Sequence, residues 1–524
     1  MTSRPRPLAS ALLCLLLGLL AALPRLCDVG TPFTPDETVW FKRTSDFATA
    51  VLDANAPATY QTGHPGVATM WIAGLAMGLD DARDMGGDRL SLTEPRGQAD
   101  YHAARAAMAL TATVLLTLLV FLVARAFGPG VAALAGLLLA LDPWLAAYGR
   151  IVHLDGLLAA LVAIVALACL LRWWHAGGIG YVALAGVAAG LAVLTKSTAL
   201  VLLPPMALLL AAGGAARRGP RAWRLAALDL AALGILGGAV VLLVWPAARA
   251  DPLGVLARVV SFSEQKALEP HEHGSFFLGQ PVADPGPAFY PVVLAFRLSP
   301  LVLLGLAALA ATRAARRDPQ SAPRAGVDAA LLLGCAAIAL LVVTLGAKKL
   351  DRYVLPAVPL VTIAAAVGLR RGLVALPAPP GAANVALGVV GLAQLALCAG
   401  ARPYYFSYYS PLLGGAPLAQ RVLPIGWGEG VDLVAAYLNV HPAKPARSVL
   451  APDAVRITLR VQTKARIVDP SEQRKSTDYL LTYVSATQRD EDVPLVPGAS
   501  PLLTVRIDGV DYARLWTTPG REKS

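Results

Sequence analysis

Residues 150–172 read RIVHLDGLLAALVAIVALACLLR, an uncharged apolar run held between an Arg-His-Asp cluster and Arg172. A run approaching ~20 residues with charge kept to its ends is a helix that crosses a bilayer. Similar runs lie at about 8–26, 103–124, 131–148, 179–194, 197–213, 225–246, 291–312, 327–346, 353–369 and 384–401. Eleven spans are therefore expected, and the composition agrees. The 524 residues are 56% hydrophobic and 15% charged, with a mean hydropathy of +0.58, whereas soluble chains carry roughly 25% charged residues. A soluble enzyme, a disordered chain and a coiled coil are excluded. The fold class is a polytopic α-helical membrane protein.

Charge sets the expected topology. The first run, Leu8 to Leu26, follows Arg4 and Arg6 and lacks a small-x-small cleavage site, so it reads as an uncleaved anchor with a cytoplasmic N-terminus. Arg125, Arg172, the Arg217/Arg218/Arg221/Arg224 and Arg313/Arg316/Arg317/Arg324 clusters and Arg370/Arg371 then all fall on the cytoplasmic side. The expected division is a transmembrane part at 1–402 and a small extracytoplasmic α+β domain at 403–524 in a cell membrane. The second part holds 14 Lys+Arg against 12 Asp+Glu, so most of the +11 net charge belongs to the membrane part. Short arginine clusters between apolar runs serve topology rather than nucleic acid, and no nucleic-acid partner is expected. The five cysteines lie in or beside apolar runs, so no disulfide framework is indicated.

Two long outer loops are expected, 27–102 and 247–290, the first carrying an interfacial helix from Pro65 to Leu79. Tyr404-Tyr405-Phe406-Ser407-Tyr408-Tyr409 reads as an interfacial aromatic belt. Beyond Gly426-Trp427-Gly428-Glu429-Gly430, a short helix is expected at about 431–439. Strands follow at about 455–461, 478–485 and 502–516, the last turning at Asp508-Gly509.

The informative charges are those that topology leaves over. Arg150, Asp155, Lys196, Lys348, Lys349 and Arg352 all lie at outer ends of spans, with Asp36 and Glu37 at another. Any one cation there also reads as a snorkelling helix-end residue. Together they suit an anionic lipid head group, since arginine forks a phosphate and lysine acts as a point charge. A carboxylate beside them can accept a proton from an attacking hydroxyl. These are the parts needed for sugar transfer from a polyprenyl phosphate.

The motifs in order resemble the GT-C glycosyltransferases of the protein O-mannosyltransferase and lipid A aminoarabinose transferase superfamily. They are Pro35-Asp36-Glu37, His64-Pro65-Gly66, the Arg150–Asp155 segment, Leu194-Thr195-Lys196-Ser197 and Lys349-Leu350-Asp351-Arg352-Tyr353-Val354-Leu355-Pro356, over roughly residues 8–400. The resemblance implies Asp36 as catalytic base, with Glu37 and Asp155 as further site carboxylates. It implies Arg150, Lys196, Lys349 and Arg352 on the donor phosphate, and His64 and Tyr353 lining the substrate. Position 66 is Gly where the family has Pro, so His64-Pro65 also reads as a turn. Thr34-Pro35-Asp36-Glu37 also reads as a helix start. In the second loop, His271-Glu272-His273 offers two metal ligands or, with its neighbouring aromatics, a substrate lining. A divalent ion between Asp36, Glu37 and Asp155 is open but not demanded by spacing; no cofactor is required.

The expected function is an inverting transfer of a sugar from a polyprenyl-phosphate donor to a hydroxyl of a protein, lipid or glycan at the outer face. The rivals are a transporter or flippase for a lipid-linked sugar, for which no internal repeat is evident, and a scaffold, which leaves the aligned charges unexplained.

Overall fold

The computed structural model describes residues 7–85, 90–270, 272, 274–314, 325–375, 381–441, 448–469 and 477–518. Each of the eleven apolar runs is largely helical. Six helices are long and apolar enough to cross a membrane, or seven if the bent pair Phe289–Arg297 and Pro300–Thr312 is one span. Asp155–Trp173 and Asp351–Ala375 are innermost, with 83% and 89% of their apolar windows buried. Pro220–Val244 buries 11% and turns Leu225, Leu228, Ile235 and Leu243 outward. An apolar face with no protein against it is what lipid covers, and the chain is a multi-pass membrane protein.

Two expected spans are interrupted. The 131–148 run is a helix at Pro129–Ala140 followed by a short one at Pro143–Tyr148. Between them, Asp142 accepts the Leu145 N–H (2.8 Å) as an N-cap, and Pro143 cannot continue the preceding helix. The 291–312 run bends by 111° at Leu298-Ser299-Pro300. At that bend Arg297 is buried, donating to the carbonyls of Phe406 and Tyr408 (2.8 Å each), to Asp351 (2.8 Å) and to the Tyr409 hydroxyl (3.0 Å). The aromatic stretch around it is therefore packed inside protein, with Tyr404, Tyr405, Phe406, Tyr408 and Tyr409 all buried. It is not an interfacial belt.

Small residues let the helices approach closely. A Cβ on Gly368 would lie 2.0 Å from the Gly305 carbonyl oxygen, and one on Gly190 would lie 2.6 Å from that of Gly237. Such seams replace the hydrophobic effect, which gives no drive between helices already in lipid. The first loop is mostly helical, with Pro35–Leu52, Val67–Met77 and Leu79–Asp84; the second of these falls on the apolar stretch from Pro65 to Leu79, with Val67, Met70, Ala73 and Met77 buried.

A hairpin of β1 (Ser275–Phe277) and β2 (Gln280–Val282) lies in the second loop. The C-terminal segment builds a five-stranded sheet from β3 (Ser448–Leu450), β4 (Arg466–Val468), β5 (Tyr479–Tyr483), β6 (Ser500–Ile507) and β7 (Val510–Thr517), in the order β4-β3-β5-β7-β6. β3 runs parallel to β4 and β5, while β7 is antiparallel to β5 and β6. The helix Val431–Val440 and the Asp508-Gly509 turn stand where expected. The expected strand at 455–461 is instead the helix Asp453–Gln462. Its alternating pattern hides a helical one, since Val455, Thr458 and Leu459 share the buried face while Ile457 is exposed.

Gly368→Leu should drive apart the helices Pro300–Ala314 and Val358–Ala375. The expected cost is at least the ~1–3 kcal/mol of overpacking, read as a lower thermal unfolding midpoint in detergent.

Candidate active site

Thr34-Pro35-Asp36-Glu37 opens the Pro35–Leu52 helix as a capping box: Glu37 Oε2 accepts the Thr34 backbone N–H (3.0 Å) and hydroxyl (3.1 Å). Proline suits the first helical position because its missing N–H has no partner to lose there. The two acids then part company. Glu37 is fully buried and takes a two-pronged grip from Arg105, Nε on Oε1 at 2.7 Å and Nη2 on Oε2 at 2.9 Å. Its Oε1 also accepts the Val152 N–H (3.1 Å), and Arg105 donates further to the carbonyls of Val29 and Pro32. Asp36 faces the other way and keeps 35% side-chain exposure.

Asp36 Oδ2 receives Arg352 Nη2 at 3.0 Å and lies 3.3 Å from His153 Nε2. The His153 ring stands between the two carboxylates, its Nδ1 3.4 Å from Asp155 Oδ2 and 3.4 Å from the Asp155 amide nitrogen. Arg352 Nε sits 3.5 Å from Asp155 Oδ2, so one guanidinium straddles two carboxylates. Lys196 donates to Asp155 Oδ1 at 2.6 Å, over the ring of Tyr353 at 4.6 Å. Asp155 Oδ2 is buried with no hydrogen-bond partner among the described residues. Burial acts to raise the Asp36 pKa, but Arg352, His153 and Lys196 outweigh it and hold the carboxyl well below the usual range. Asp36 is an anion at any physiological pH.

The structure thus brings Asp36, Asp155, Lys196, Arg352 and Tyr353 together and redirects the other expected site residues. Glu37 is saturated and positions the loop. Arg150 is buried, donating to the backbone carbonyls of Cys27, Thr31 and Pro403 rather than facing Asp36. Lys349 turns to Asp284 of the second loop (2.7 Å) and the Gly346 carbonyl (2.8 Å). Its neighbour Lys348 is half-buried, with no ion pair among the described residues. Burial, Arg352 and Lys266 pull its pKa down. His64 Nδ1 lies 3.0 Å from Ser197 Oγ, with Phe262 edge-on at 4.9 Å. Burial and Lys196 lower its pKa to about 3, so it is neutral rather than a phosphate-binding cation. His271 and His273 lie outside the described residues. Asp36, Glu37 and Asp155 do not fit a metal ion: Glu37 points away and Arg352 occupies the space between the other two. Among the described residues, no three His, Cys, Asp or Glu side chains converge as a metal site.

Arg105, His153 and Trp427 were not expected in these roles. Arg105 carried a signal, a lone charge inside an apolar run. Trp427 carried none, because it arrives from the C-terminal segment to lie over Arg352 at 4.8 Å.

An apolar cavity of about 660 Å³ is lined by Pro65, Ala199, Leu200, Leu233, Val241 and Trp245 among others.

Residues 96–245 match the dolichyl-phosphate-mannose-protein mannosyltransferase family. Among solved structures, the chain superposes on ArnT from Cupriavidus metallidurans bound to undecaprenyl phosphate, with a TM-score of 0.50 and 15% identity, covering 96% of this chain and 97% of that one. The chain has the GT-C glycosyltransferase fold. A second GT-C likeness is the oligosaccharyltransferase of Archaeoglobus fulgidus, with a TM-score of 0.50 and 14% identity over 91% of this chain and 70% of that one. Among curated proteins, none matches by sequence.

The partly buried, neutral His64 predicts an acid-side instability. Its folded pKa lies below the unfolded value near 6.5, so its stability contribution is complete above that value and is lost as pH falls below it. His64→Asn should therefore lose less thermal stability than the native chain between pH 7 and pH 5.

Proposed function

We propose that this protein transfers a sugar from a polyprenyl-phosphate donor to a hydroxyl acceptor, with Asp36 as general base. The observation that carries this reading is the cluster itself: two cations, Arg352 and Lys196, engage two carboxylates, Asp36 and Asp155, with His153 beside them. Half-buried Arg43 and Lys348 add further positive charge in the electrostatic surroundings of Asp36. A partly buried surplus charge is unfavourable without a counter-ion, and a sugar-phosphate diester supplies one negative charge. The cavity accepts the isoprene units nearest the head group. The match to a structure solved with undecaprenyl phosphate and to a family named for dolichyl-phosphate-mannose supports the same donor class.

In this reading Lys348 replaces Lys349 as the phosphate-binding lysine, and Lys349 instead holds the second loop through Asp284. Phosphate arriving at Arg352 competes with Asp36 for the guanidinium. Asp36 thereby gains basicity when the donor is bound. The acceptor oxygen attacks C1 from the face opposite the phosphate and its proton passes to Asp36. The C1–O bond to phosphate breaks, and the electron pair leaves on a polyprenyl phosphate whose charge the cations stabilise. The site then lies on the extracytoplasmic side of a cell membrane, with residues 1–402 as the catalytic membrane part and 403–524 as the extracytoplasmic domain.

The test uses purified protein and a panel of polyprenyl-phosphate sugars, with donor consumption read by mass spectrometry. Asp36→Asn should lower turnover at least about 100-fold; a folded variant with near-normal transfer overturns the base assignment. Lys348→Met should raise the donor KM about tenfold with kcat less affected, as loss of a charge-assisted contact does. An unchanged KM would return the phosphate contact to Lys349.

A further inference from the structure

Trp427 touches both groups that hold Asp36. Its ring lies 4.8 Å from the Arg352 guanidinium carbon and 5.4 Å from the His153 ring, edge-on at 89°. Tyr148 (5.6 Å) and Phe406 (5.2 Å) close the remaining sides. The residue is presented by a turn that its flanking glycines make possible. A Cβ on Gly428, whose φ is +106°, would lie 2.3 Å from the Phe33 carbonyl oxygen, so the turn presses directly on the loop that carries Asp36. Buried Glu429 fixes the turn by accepting the Trp427 N–H, and Tyr483 Oη accepts the Gly428 N–H at 2.9 Å. Gln488 braces the approach, accepting the Ile425 N–H (2.9 Å) and donating to the carbonyls of Gln420 (2.7 Å) and Leu423 (2.9 Å). A tryptophan held this firmly, from a distant part of the chain, is placed for a purpose at Arg352.

We propose that Trp427 is a positioning residue of the transfer site: its indole face clamps Arg352 in the orientation that spans Asp36 and Asp155. This rests on the transferase reading above. A guanidinium gains from an aromatic face electrostatically and by stacking, and it keeps its edge free for carboxylate or phosphate. The C-terminal segment thus completes the site rather than merely capping it.

The experiment compares Trp427→Phe and Trp427→Leu with the native chain, alone and on an Arg352→Lys background. Trp427→Leu should lower kcat about tenfold, the size of a desolvated cation–π contact, with the donor KM nearly unchanged. Trp427→Phe should recover most of that loss, because it restores a π face. On the Arg352→Lys background the Leu substitution should add little. Equal losses in the Phe and Leu variants, or additivity with Arg352→Lys, overturn the proposal. The same double-mutant cycle is read by thermal unfolding, which reports the indole–guanidinium contact whether or not a donor is consumed. No donor consumed by the native chain, with thermal coupling intact, overturns the transferase reading; absent thermal coupling overturns the clamp.

Discussion

The pair of Glu37 and Arg105 is the constraint on which the site is built. Both side chains are fully buried, so the cost of taking two charges out of solvent is met only because both carboxylate oxygens and all three guanidinium nitrogens are engaged. One carboxylate ties together the Thr34 turn, the Pro95–Phe127 helix and the backbone at Val152. Arg105 adds Val29 and Pro32 from the same loop. Removing either partner would strand the other's charge at a cost of about 3–5 kcal/mol, a large share of a typical protein's stability. Asp36 owes its place to being the next residue along the helix from this knot.

Against that satisfied pair, the neighbouring cluster is deliberately unbalanced. Arg352 divides itself between two carboxylates, Asp155 keeps a buried oxygen without a hydrogen bond, and Lys348 is half-buried with no ion pair among the described residues. A fold seeking only stability would pair or remove these charges. Local disadvantage maintained by a rigid surround is the mark of a binding site. The rigid surround is supplied from three parts of the chain: the Glu37 knot, the Lys349–Asp284 pair from the second loop, and the Trp427 turn from the C-terminal segment.

Much of this was legible in the sequence. Apolar run length and arginine placement gave the helices, and the charges left over named Asp36, Asp155, Lys196 and Arg352. Sequence could not divide adjacent like charges. Asp36 and Glu37 are successive residues on a helix, about 100° apart around its axis, and only packing decides which faces Arg105 and which faces Arg352. Lys348 and Lys349 pose the same problem at the approach to a helix. Arg150 looked like a site cation because its interest in carbonyls depends on loops folding over it. The breaks at Asp142-Pro143 and Ser299-Pro300 were written in capping chemistry but masked by the hydrophobicity around them. The helix at Asp453–Gln462 was obscured by β-branched residues that happened to alternate.

The bend beside Arg297 has a bearing on how such a chain can diversify. That single guanidinium joins the kinked helix to Asp351, one residue before Arg352, and to three residues, Phe406, Tyr408 and Tyr409, of the aromatic stretch leading into the C-terminal segment. Recombination that exchanged the C-terminal segment alone would inherit a mismatched socket at this arginine. Residues 297, 351, 406–409 and 427 are therefore tied into one unit that has to change together, whereas the exposed loops of the sheet lie outside it.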